Sequence, residues 1–274
     1  MLQLVTDSSC DLPEELRLGH GITIVPISVD IDGEVFHEGL DITPGEFYEK
    51  MARSRELPKT SQPPPAAFAD TFRALSSGGP VVCITVSSKL SGTYQSACLG
   101  AELSGGDVTV FDSLTASAGQ SLQVLRALEL AQAGRTASEV VAELSAYRSE
   151  MTTLVLLNTL ENIVKGGRLT RFQGSLSKIL DIRVLCRDAD GAVLVLERVH
   201  GRTKLIDRTL QTVGELRPDL SDRDVGITHL HNPGDTEALR QGLTQRCHPR
   251  GFVIHEMGPT MATYAGEGGI IVAF

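Results

Sequence analysis

Tryptophan is absent from this 274-residue chain, and aromatic residues make up only 4% of it. A nucleotide base or a nucleic-acid single strand would find few stacking platforms here. No basic stretch offsets the formal charge of −9, which argues against a phosphate-backbone partner. There is no P-loop, and no G-x-G-x-x-G follows a strand-like run, so nucleotide binding has no support. The five cysteines (Cys10, Cys83, Cys98, Cys186 and Cys247) stand far apart with no C-x-x-C pair. They are expected to be reduced core residues of a cytoplasmic protein, not a disulfide framework or a zinc site. No apolar run approaches the roughly 18 residues of a membrane helix. Met1–Thr6 runs straight into a strand-like stretch, so neither a secretory leader nor an integral membrane segment is expected. A flexible aliphatic ligand needs none of these features.

What is present is a pattern of strand then helix. Hydrophobic residues at 41% and charged residues at 22% are ordinary for a globular chain, and the length suits two modest domains. Leu2–Val5, Ile22–Val29, Val81–Val86 and Val108–Phe111 read as strands. Asp32-Gly33 is a turn before Glu34–His37. Capping boxes at Thr43–Glu46 and Thr136–Glu139 open helices to about Arg53 and Glu150, and further helices are expected over Ala66–Leu75 and Ala116–Ala133. This alternation predicts an α/β fold, with a Rossmann-like parallel sheet between helices over residues 1–150. Residues 151–274 read as a smaller α/β domain with a mixed sheet. Its elements are a strand over Thr153–Leu157, a short helix over Leu160–Lys165 and a hairpin from Arg183–Cys186 to Val193–Val199 around Asp190-Gly191. A helix over Arg202–Leu216, a strand over Val225–His231, a helix over Thr236–Arg246 and strands flanking a loop at Gly258–Gly268 complete it.

The richest stretch is Ser87–Ala97, SSKLSGTYQSA, between the buried strand Val81–Val86 and a helix to about Leu103. Ser91 is placed as the N-cap, leaving the Gly92, Thr93 and Tyr94 amides at a positive helix end suited to an anion. Thr60–Pro65, TSQPPP, is a proline-stiffened loop offering two more hydroxyls. Taken alone, Ser91 could be no more than a cap and the Thr60–Ser61 pair no more than linker residues. Asp7 after the first strand lacks the second Asp of an aspartyl-phosphate enzyme, so its expected task is to bond nearby loop amides. His229 and His231 alternate along a strand and could join Asp235 at a metal, but solvated strand-end histidines are the expectation.

SSKLSGTYQSA resembles the signature of the DegV family, bacterial proteins that bind fatty acids. Thr6–Leu12 (TDSSCDL), Lys59–Pro63 (KTSQP), Lys165–Arg168 (KGGR) and Gly201-Arg202 agree in the family's order, so the resemblance spans essentially the whole chain. It implies that the fatty-acid carboxylate is held by Thr60, Ser61, Ser91 and the backbone of Gly92. It also implies an acyl tunnel, for which hydrophobicity suggests Leu156, Ile163, Leu176, Ile179 and Ile270. Family members of the carrier type present the lipid to a separate fatty-acid kinase. Arg168 and Arg202 would then contact that partner or the acyl phosphate. Beyond the long-chain fatty acid as ligand, no cofactor or metal is implied.

One motif departs from the family. Its usual G-P-x-x-x-x-H-x-G-P-G reads GPTMATYAGEG here, with Tyr264 in place of the histidine and Glu267 in place of the second proline. Tyrosine can donate a hydrogen bond to the carboxylate but carries no positive charge near neutral pH, and an inward Glu267 would oppose an anion. Two other function classes stay open: a hydrolase or acyl-phosphate-processing enzyme using Ser91, although the G-x-S-x-G elbow is missing, and a lipid sensor without a kinase.

Overall fold

The computed structural model of the chain describes residues 2–169 and 181–274. Its first half runs through β1 (Gln3–Asp7), α1 (Glu14–Gly19), β2 (Thr23–Val25), β3 (Ser28–Ile31), β4 (Glu34–His37) and α2 (Pro44–Arg53). β5 (Lys59–Ser61), α3 (Pro65–Ser76), β6 (Val81–Thr85), α4 (Thr93–Ser104), β7 (Val108–Asp112), α5 (Ala118–Gln132) and α6 (Ala137–Glu150) follow. The remainder comprises β8 (Thr153–Leu157), α7 (Glu161–Lys165), β9 (Ile182–Ala189), β10 (Ala192–His200), α8 (Arg202–Leu216), β11 (Asp224–His229), α9 (Pro233–Cys247), β12 (Gly251–Glu256), α10 (Pro259–Ala265) and β13 (Ile270–Ala273). Among the described residues, no helix is long and apolar enough to cross a membrane.

Three sheets organise these elements. A parallel sheet of order β2-β1-β6-β7 is covered by helices on both faces, and its strand β6 is buried in every position. Val81 and Cys83 meet Phe68 and Phe72 of α3, whereas Val82 and Ile84 meet Val124 of α5 and Leu144 of α6. The strand order reverses between β1 and β6, and that switch point is where ligands sit in such sheets. A six-stranded mixed sheet runs β10-β9-β8-β13-β11-β12, with only β11 and β12 parallel. Leu154, Leu156, Ile270 and Val272 pack on α8 and α9 behind it, while Val155, Leu157 and Ile271 face forward.

The third sheet, β4-β3-β5, is antiparallel and corrects the expected strand Ile22–Val29. Pro26 has no N–H for a ladder, so the chain leaves the parallel sheet after Val25 and resumes as β3. Lys59–Ser61, read as loop, pairs with β3, with Thr60 opposite Val29. The expected loop Gly258–Gly268 also holds α10, whose Pro259 stands at the first helical position. Both capping boxes form as predicted, and the Asp190-Gly191 turn has positive φ at both residues, as a two-residue hairpin turn requires.

α3 and α4, which follow the two hydroxyl-bearing segments, touch at Gly100. A Cβ there would stand 2.5 Å from Phe68 Cβ and 2.9 Å from the Pro65 carbonyl oxygen. Gly100→Ala is therefore expected to destabilise the fold by about 2 kcal/mol despite the better helix propensity of alanine. A urea titration checks this; an unshifted midpoint would mean that the helices part without cost.

Candidate functional site

A cavity of about 350 Å³ lies between the loops at the carboxyl edge of the parallel sheet and the forward face of the mixed sheet. Val155, Leu157, Ile271, Val193, Ile163 and Leu90 give it an apolar wall. Thr60, Ser61, Ser91, Gly92, Arg168 and Tyr264 gather on the same cavity from four separated stretches of chain.

The hydroxyl cluster is built from short-range bonds. Ser91 Oγ accepts the Thr93 N–H at 3.3 Å and shares a hydrogen bond with Thr93 Oγ1 at 2.8 Å. Gly92, not Ser91, is the N-cap of α4; the Ser91 hydroxyl reaches the helix from one residue further out. The next segment is held by Gln62, which donates to Ser96 Oγ at 2.9 Å and packs on Gly92 so closely that a Cβ there would meet its amide oxygen at 1.9 Å. That approach explains a glycine at 92. Thr60 and Tyr264 share a hydroxyl–hydroxyl bond, so Tyr264 points inward. The Arg168 guanidinium stacks 4.7 Å over the Tyr264 ring and donates to the carbonyls of Leu90 (3.1 Å) and Gly166 (2.6 Å).

Buried carboxyl groups fix this frame from behind. Asp7 accepts the amides of Ser9 (3.1 Å) and Val86 (2.7 Å), joining the ends of β1 and β6 as an amide-bonding role predicts. Glu38 accepts from Ser8 Oγ (2.8 Å), Thr260 Oγ1 (2.6 Å) and the Thr260 N–H (3.3 Å). Asp11 accepts the Gly258 N–H at 2.7 Å and the Ser117 hydroxyl. Glu38 and Asp11 together clamp the start of α10, whose other end carries Tyr264. Burial raises all three carboxyls, Glu38 to about 7, and the Glu38 charge raises Asp11 further.

Other expected residues lie elsewhere. Leu156 and Ile270 are buried on the α8–α9 face of the mixed sheet, because the period of two sends their side chains away from the cavity; their neighbours Val155, Leu157 and Ile271 line it instead. Ile163 does line it, while Leu176 and Ile179 lie outside the described residues. Arg202 is not in the cavity wall; it opens α8 and pairs with Asp235. His229 is buried at 8% exposure, not solvated, and accepts the Asn232 N–H at 3.3 Å. His231 lies beyond the end of β11, at φ 47°, so the two do not alternate along one strand. Among the described residues, no group of three or more His, Cys, Asp or Glu side chains could hold a metal ion. Glu267 points outward, 71% exposed, with its carboxylate 3.4 Å from His231 Nδ1.

The family model described as "Uncharacterised protein, DegV family" matches residues 1–274. The chain belongs to the DegV family. A DegV domain-containing protein of Streptococcus pneumoniae is 35% identical over 270 residues, covering 97% of this chain and 95% of the relative. Another, from Caldanaerobacter subterraneus, is 30% identical over 275 residues, covering 100% and 98%. Among solved structures, a DegV family protein of Ruminococcus gnavus with vaccenic acid aligns at TM-score 0.94 and 25% identity, covering 100% of this chain and 99% of that one. A Thermus thermophilus DegV family protein described by its fatty-acid binding aligns at TM-score 0.90 and 31% identity, again over 100% and 99%. A stearic acid-binding protein of Eubacterium ventriosum aligns at 0.89 and 26% identity, over 100% and 97%. The α/β fold with its parallel and mixed sheets is thus the fold of DegV proteins. Sequence reasoning missed Gln62, Thr115, Thr153, Asp188 and Thr260 on the cavity wall. Gln62 sits inside the TSQP motif and could have been found there; Asp188 lies in a hairpin strand with no local signal.

Proposed function

We propose that this DegV protein binds a long-chain fatty acid without covalent chemistry. The carrying observation is a cavity whose aliphatic wall adjoins the Thr60, Ser61, Ser91 and Tyr264 hydroxyls and the amides at the start of α4. Thr60, Ser61, Ser91 and Tyr264 would donate to the carboxylate, with the Gly92 amide and the positive end of α4 beside them. Arg168 adds a cation near the head group. Each methylene buried releases about 0.8 kcal/mol, so the chain supplies most of the affinity and the hydroxyls its orientation. The fatty-acid-bound relatives support this ligand class.

The protein's task is to present the lipid to a separate fatty-acid kinase, with Arg168 and Arg202 as contacts to that partner or to the acyl phosphate. Arg202, being outside the cavity wall, suits the partner contact. A nucleophilic role for Ser91 has less support: its hydroxyl is bonded to Thr93, and among the described residues its bonds include no His or carboxylate that would take its proton.

Native mass spectrometry followed by denaturing lipid extraction tests the binding. A fatty acid released intact is expected, with Ser91→Ala weakening it about tenfold, the worth of one charge-assisted hydrogen bond. An adduct that survives denaturation on the Ser91 peptide would establish an enzyme instead.

A further inference from the structure

The cavity is not apolar throughout. Asp188 on β9 forms part of its wall beside Thr153 and Thr115. Asp188 Oδ1 accepts the Thr153 N–H at 2.9 Å, and the two threonine hydroxyls bond each other at 2.9 Å. Burial raises the Asp188 carboxyl to about 6, and its bonding to Thr153 and the charge of Arg187 offset only part of this. A plain alkyl chain would gain more from an aliphatic side chain in that place.

The geometry of β8 sets this polar group apart from the hydroxyl cluster. Thr153, Val155 and Leu157 share the cavity face, and four residues of strand rise separate its ends by roughly 13 Å. α7 and Arg168 follow the Leu157 end, and the Tyr264 ring packs against Gly166 there. Asp188, bonded to Thr153, lies at the opposite end, with Val155 and its sheet partner Ile271 between. A ligand anchored by its carboxylate near Tyr264 would lay the middle or far part of its chain against Asp188.

We infer that Asp188, with Thr153 and Thr115, binds a hydroxyl group carried on the acyl chain far from its carboxylate, making an oxygenated fatty acid the preferred ligand. This rests on the fatty-acid function proposed above. The chain hydroxyl donates to the Asp188 carboxyl and accepts from the threonine pair. A chain without one leaves the desolvated carboxyl with its Thr153 bond but no partner from the ligand, a situation in which a polar site discriminates strongly.

Oleic and ricinoleic acids differ by one mid-chain hydroxyl, so calorimetric titration of the wild-type protein with each is decisive. Ricinoleic acid is expected to bind about tenfold tighter. Asp188→Leu should abolish that preference by weakening ricinoleic and strengthening oleic acid. Asp188→Asn, which can still accept the Thr153 N–H, should keep part of it. Equal or weaker binding of ricinoleic acid by the wild type overturns the inference while leaving fatty-acid binding standing, as does a preference that survives in Asp188→Leu. Binding of neither acid overturns both.

Discussion

Val193→Trp is expected to weaken stearic acid binding about 100-fold while leaving octanoic acid binding nearly intact. Val193 lies on β10 opposite Asp188 and lines the cavity, so an indole on its Cβ enters space that an acyl chain would otherwise fill. Expelling about four methylenes forfeits roughly 3 kcal/mol at 0.8 kcal/mol each, which is two orders of magnitude in affinity. A short chain ends before the obstruction and keeps its head-group contacts. Calorimetry with the two acids separates the effects, and an unchanged thermal midpoint shows that the fold tolerates the larger residue. Unaltered stearic acid affinity would place the acyl chain somewhere other than this cavity.

How far the sequence carries depends on the period being read. The parallel sheet was legible because Val81–Thr85 is apolar on both faces, and the helices because their caps are local: Thr43 with Glu46, Thr136 with Glu139. The residues proposed here for the head group could be picked out only through the family's motifs, since Thr60 and Tyr264 meet across 204 positions of chain. Hydrophobicity then chose Leu156 and Ile270 for the acyl wall, and it has no means of telling the two faces of a strand apart when both are buried. Val155 and Ile271, one residue away in each strand, are as apolar and face the other way. Asp188 was illegible for the converse reason: it has an ordinary place in a hairpin, and only the tertiary packing turns it toward a cavity.

Stability should fall as pH rises from about 4.5 to about 7, and Glu38 should carry a large part of that slope. Its carboxyl is fully buried against Ser8 and Thr260, and burial raises it from 4.5 to about 7. The folded state therefore holds this proton more tightly than the unfolded chain. The stabilisation is complete below the unfolded value and is lost as pH climbs through the folded one. A rise of that size corresponds to roughly 3 kcal/mol. Asp11, raised by its own burial and by Glu38, acts in the same direction. Glu38→Gln keeps the shape: the amide oxygen can accept the Thr260 N–H, and the amide nitrogen can donate to the Ser8 and Thr260 hydroxyls, which accept as readily as they donate. Urea unfolding across this pH range should show a flatter profile for Glu38→Gln, with the variant the more stable protein at pH 7 and above. An identical slope in the two proteins would mean that Glu38 is ionised in the fold throughout, its charge stabilised by the hydroxyls and the amide at the start of α10. In that case Gln would be the less stable protein at neutral pH, because it removes charge-assisted bonds without removing a desolvated charge.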